Sequence, residues 1–132
     1  KADLLKTTLA KRKTIDDKRK SKHLLNLYQQ AYEKKDYHNA RYNLEILSTI
    51  KPDDKKIQKL KADLEKEIQF LLEHDINQGK TLYSSGKISE ALAIWENLLN
   101  IDPDNNELIA LITRAKKVTQ KLQELEESAT SQ

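Results

Sequence analysis

Cysteine and methionine are absent from this 132-residue chain, and glycine and proline supply two residues each. Without cysteine there is no disulfide framework, no thiolate metal site and no cysteine nucleophile. So few turn formers exclude a sheet-rich fold, which needs a tight turn every few residues. No apolar run nears the roughly 20 residues that a membrane span needs, and no secretory hydrophobic region is present. The lack of methionine even at position 1 reads as a trimmed or processed chain.

What the chain does have is charge and helical periodicity. Hydrophobic residues make up 37% and charged residues 34%, a balance suited to thin layers of packed helices rather than a thick core. The net charge of +3 is unevenly spread. Residues 1–22 carry nine basic side chains against Asp3, Asp16 and Asp17, so the rest of the chain is mildly acidic. A basic arm of this kind could meet phosphate or an anionic membrane; a solvated lysine-rich helix is the simpler reading.

A shift of 51 residues superposes residues 21–54 on residues 72–105. Nine positions are identical, among them Asn26/Asn77, Tyr32/Tyr83, Ala40/Ala91, Leu47/Leu98 and Pro52/Pro103. Each copy reads as two antiparallel helices. In the second, Ile76, Gly79, Leu82 and Tyr83 share one helical face. Ser84-Ser85-Gly86-Lys87 makes the turn, with Gly86 free to adopt the left-handed conformation that closes a helix. Ala91, Leu92, Ile94, Trp95, Leu98 and Leu99 then write a second amphipathic helix. Small residues at Gly79 and Ala91 suggest a close crossing of the two backbones. Pro103 ends the hairpin, with Asp102 or Asp104 as candidate caps for the next helix.

Gly79, Leu82, Gly86, Ala91, Trp95, Leu98 and Pro103 stand at the separations of a 34-residue helix-turn-helix unit, and this segment resembles the tetratricopeptide repeat family. The first copy keeps Ala31, Ala40, Leu44, Leu47 and Pro52, but has Tyr28 in place of Gly79 and Lys35 in place of Gly86. The resemblance implies an all-α fold of helical hairpins, an α-solenoid fragment, that works as a non-enzymatic scaffold or adaptor. A partner peptide or helix would lie along the concave face lined by first helices. Mapped onto this sequence, that face comprises Lys22, Leu25, Asn26, Gln29 and Tyr32 from the first copy. Glu73, Ile76, Asn77, Lys80 and Tyr83 come from the second. The tyrosines are either exposed contacts or packed between helices. Leu25 and Gln29 occupy positions that carboxylate-clamping family members give to other residues, so that activity is not implied. By family analogy the resemblance points to a bacterial cell envelope.

The 51-residue spacing exceeds the family's 34. Ile57, Leu60, Leu64, Ile68, Leu71, Leu72 and Ile76 keep helical period across the surplus, which predicts one long helix over 54–85. A break near Phe70–Asp75 is the alternative. Leu108, Leu111, Ala115, Val118, Leu122 and Leu125 are spaced 3-4-3-4-3. They predict a helix over 105–127 that either caps the second hairpin or pairs with another chain. Residues 1–20 read as a separate basic helix, residues 128–132 as a frayed tail, and residues 1–132 together as one domain.

No catalytic or metal-binding constellation emerges. His23, His38 and His74 lack ligand-spaced partners, and zinc needs three or four. Glu65 sits beside Lys61 as one of many carboxylates on solvated faces. No cofactor is expected. The expected partner is another protein, with self-association through residues 105–127 or nucleic-acid or membrane contact through residues 1–22 as alternatives.

Overall fold

The computed structural model describes the backbone of residues 2–130 and the side chains of residues 4–130. All regular structure among the described residues is helical, with no strand. There are five helices: α1 (Ala2–Glu33), α2 (Tyr37–Ile50), α3 (Lys55–Ser84), α4 (Ile88–Ile101) and α5 (Asn106–Thr130). Long and short helices alternate, and the 51-residue period reappears in their bounds. The short helices α2 and α4 have 14 residues each, and each is preceded by a three-residue turn and followed by a four-residue one. Residues 70–75 are helical, so α3 runs unbroken where a break was the alternative. Residues 2–20 are the first part of α1 rather than a separate helix. Ser128–Thr130, expected to fray, close α5; Ser131 and Gln132 lie outside the described residues.

The contacts gather into two compact units, Lys1–Lys66 and Glu67–Gln132. The core of the first is Leu24, Tyr28, Ala31, Ala40, Leu44, Leu47, Ile57 and Leu64. Arg41 on α2 ties the rim of this core to α3. Its Nε and Nη2 donate to the two carboxylate oxygens of Glu65 at 2.6 and 2.8 Å. This two-pronged bond holds the Glu65 carboxyl below its ordinary value of 4.5, and the charges of Arg41 and Lys61 add to the effect. Glu65 is therefore a tie between helices rather than a solvated neighbour of Lys61. The lowered pKa means that the pair stabilises the fold fully above pH 4.5 and is lost as pH falls further through the folded-state value. Glu65→Gln should cost about 1 kcal/mol or less at neutral pH, because the side chain is 39% exposed. The difference from the parent should shrink as pH falls below 4.5, as read by urea unfolding.

In the second unit the core is Ile68, Leu72, Ile76, Ala91, Trp95, Leu98, Leu108, Ile112 and Ala115. Trp95 is 1% exposed, and its Nε1 donates to the Ile76 carbonyl at 3.2 Å. A Cβ on Gly79 would lie 2.2 Å from that nitrogen and 2.7 Å from Cε2. Gly79 is thus small to admit an indole, not because two backbones meet. The first unit solves the same layer in reverse. Tyr28 is buried at the position of Gly79, and Leu44 at the position of Trp95. The aromatic ring moves from the long helix to the short one, and close packing demands the compensating loss of volume.

Both long-to-short turns close in the same way. Asp36 N–H donates to the Ala31 carbonyl and Lys35 N–H to that of Tyr32; Lys87 and Gly86 repeat this on Leu82 and Tyr83. This pattern requires a left-handed residue, and Lys35 (φ 59°) stands where Gly86 (φ 84°) does. Only glycine adopts that region without a Cβ penalty. Lys35→Gly should stabilise the first unit by roughly 0.5–1 kcal/mol, after allowing for glycine's larger unfolded-state entropy. Gly86→Ala should cost about 1 kcal/mol. No atom lies within 4 Å of a Cβ at Gly86, so its cost would be conformational alone.

Helices α3 and α5 begin on side-chain caps. Asp54 accepts from the Lys56 and Ile57 amides, and Asn105, rather than Asp102 or Asp104, accepts from Leu108 N–H at 3.0 Å. In α5 the packed row is Leu108, Ile112 and Ala115. It drifts off the expected 3-4 seam, leaving Leu111 and Val118 half-buried and Leu122 and Leu125 exposed. The period stops for a visible reason: Thr119, Gln123 and Glu127 occupy the positions that Ile68, Leu72 and Ile76 hold in α3. No apolar row remains there for another short helix.

Candidate binding clefts

Each unit has a cleft between the long helix that opens a hairpin and the start of the next long helix. In the first unit the cleft has a volume of about 380 Å³. Lys18, Lys22, Leu25 and Gln29 on α1 form one wall, and Lys56, Ile57 and Leu60 on α3 the other. Leu47 and Lys51 close its end. In the second unit a cleft of about 230 Å³ is lined by Gln69, Leu72, Glu73, Ile76, Asn77, Asn105 and Glu107. Six pairs of lining residues are related by the 51-residue shift: 18/69, 21/72, 22/73, 25/76, 54/105 and 56/107. The two clefts are the same architectural feature made twice.

Their charges are opposite. Lys22 and Lys56 become Glu73 and Glu107, and Lys18 becomes Gln69. Lys18, Lys22, Lys51 and Lys56 are all exposed, and none joins an ion pair among the described residues. Asp54, the carboxylate beside them, is engaged as the α3 cap. Glu107 is neutralised in part by Lys80 at 2.8 Å.

The structure places the sequence-expected residues unevenly. Lys22, Leu25 and Gln29 share the first cleft; Asn26 and Tyr32 are exposed but do not line it. Tyr32 is 41% exposed and tilts against Tyr28 at 5.8 Å. Glu73, Ile76 and Asn77 line the second cleft, yet Ile76 is only 6% exposed, so it is a core residue at the floor rather than a free contact. Lys80 and Tyr83 border a separate hollow of about 260 Å³ with Trp95, Leu111 and Arg114. Tyr83 is half-buried, its ring 6.0 Å from that of Trp95. Because Gly79 lets the indole in, Tyr83 is packed rather than presented. The lining residues missed from sequence include Lys18, Lys51, Lys56 and Leu60, and Gln69, Asn105 and Glu107. The 34-residue pattern has no place for the start of the next long helix, but the 51-residue shift pairs Lys56 with Glu107.

No group of three or more His, Asp or Glu side chains could hold a metal among the described residues. His74 Nδ1 contacts Asp75 at 2.9 Å and the ring stacks on exposed Phe70. No helix among the described residues is long and apolar enough to cross a membrane. No protein family, curated protein or solved structure matches the chain.

Proposed function

We propose that this chain is a non-enzymatic protein-interaction module, a scaffold or adaptor whose hairpins are of the tetratricopeptide kind. The observation that carries this reading is the pair of clefts built at the same register of a repeated unit, the first with an apolar floor of Leu25, Leu47, Ile57 and Leu60 inside a polar rim. That anatomy, an apolar centre ringed by polar groups, is what a binding patch for a peptide or helix needs. Lys22, Leu25 and Gln29 line the first cleft, whereas Tyr83 packs against Trp95. The resemblance to the tetratricopeptide family supports the reading through Ala91, Trp95, Leu98 and Pro103, which fill their slots with the expected burial or turn position.

A second reading is association through the long helices. It is favoured by Leu122 and Leu125, 49% and 59% exposed, and by Leu4, Leu5 and Leu9 at the other end, all above 60%. Retention of a partner from extract of the source cells separates the two. The triple variant Lys22→Glu/Leu25→Ala/Leu60→Ala should lose the partner. Leu122→Ala/Leu125→Ala and a chain lacking residues 1–13 should keep it. The reverse pattern would move the site to the helix ends and remove the clefts from the account.

A further inference from the structure

We infer that the cleft of the first unit selects an acidic, leucine-bearing segment of a partner protein, and that the repeat has set its equivalent in the second unit against the same ligand. The inference rests on reading the clefts as partner sites and adds the chemistry of what they accept. Four lysines that join no ion pair among the described residues, Lys18, Lys22, Lys51 and Lys56, surround the first cleft against a single lining carboxylate, Asp54, which caps α3. Uncompensated lysines around a concave surface raise the local concentration of anionic ligands and penalise cationic ones. Between them lie Leu25 and Leu60, both half-buried, over Leu47 and Ile57. Such a floor rewards a ligand that brings aliphatic side chains. A nucleic-acid backbone would satisfy the lysines and leave that floor uncovered, so a peptide with carboxylates flanking leucines fits both features. The second unit's smaller cleft stands at the same register but carries Glu73 and Glu107 in place of Lys22 and Lys56. An acidic segment is therefore repelled at the equivalent position of the repeat, which is how charge discriminates between related sites.

The test uses the full chain and a short synthetic helical peptide with a leucine stripe flanked by glutamates, labelled for fluorescence anisotropy at about 0.15 M salt. One peptide should bind per chain. Lys22→Glu/Lys56→Glu should weaken binding by roughly tenfold, as loss of two rim charge pairs implies. It should also shift the preference to the analogue with lysines in place of glutamates. Glu73→Gln/Glu107→Gln and the control Lys11→Glu/Lys13→Glu should change the affinity less than about twofold, since both lie outside the basic rim. A peptide with serines for leucines should bind at least several-fold more weakly. Circular dichroism of each variant establishes that the helices persist. The inference is overturned if the control reversal weakens binding as much as the cleft reversal, or if the serine peptide binds equally. It is also overturned if a short single-stranded oligodeoxynucleotide displaces the probe more readily than unlabelled peptide does. Capture of a non-acidic partner through position 22 would overturn the acidic assignment and leave the interaction reading standing; capture through neither cleft would overturn that reading itself.

Discussion

Replacing Trp95 with alanine should lower the stability of the second unit by roughly 3–5 kcal/mol, the range for removal of a large buried aromatic. The indole is 1% exposed and donates to the Ile76 carbonyl, so its loss opens a cavity and removes a buried hydrogen bond. Urea unfolding followed by circular dichroism should show a large fall in midpoint. Trp95→Phe should cost less, because the ring remains and only its polar handle and part of its volume are lost. A midpoint for Trp95→Ala equal to the parent's would mean that the second hairpin is not packed around this residue.

The second large effect is a change of sign. Gly79→Ala raises intrinsic helix propensity by about 1 kcal/mol, yet should destabilise the parent by roughly 1–3 kcal/mol. The new methyl would stand 2.2 Å from Trp95 Nε1, an atom held by its hydrogen bond and unable to swing away freely. In a Trp95→Leu background the same substitution should become neutral or stabilising, since the obstructing ring is gone. That background copies the first unit, where Leu44 occupies the equivalent position. A double-mutant cycle measures the coupling directly. Additive effects of the two changes would show that Gly79 and Trp95 do not compete for one space.

Much of this architecture was legible in the sequence because its signals are local. Helical period, scarce breakers and a duplicated Ala–Pro spacing led to helices whose short members repeat at 51 residues. The Lys35/Gly86 correspondence marked a turn position, although a lysine at positive φ is not something propensity favours. What stayed hidden depends on partners distant in sequence. Arg41 meets Glu65 across 24 positions, and only the folded unit turns one carboxylate among many into a tie. The seam in α5 left two readings open because a 3-4 spacing fits both a packed row and a free coiled-coil face. Burial tracks Leu108, Ile112 and Ala115, as the straight-helix period of 3.6 favours over a 3.5 repeat. Tyr32 and Tyr83 are identical in sequence and unequal in exposure, because the ring that packs on each comes from a different helix. The clefts were half visible: the first helix supplied Lys22, Leu25 and Gln29, while the opposing wall required knowing that α3 continues past the ordinary unit.

Site-specific photocrosslinking tests most directly whether a partner protein is held in these clefts, as proposed. A benzophenone side chain placed at Lys22, Leu9 or Leu122 of the intact chain reports on the first cleft, the exposed arm of α1 and the exposed end of α5. Irradiation in extract of the source cells should give one discrete adduct from position 22, reduced by excess acidic leucine peptide, with little from positions 9 and 122. A discrete adduct from position 9 or 122 together with none from position 22 would contradict the account.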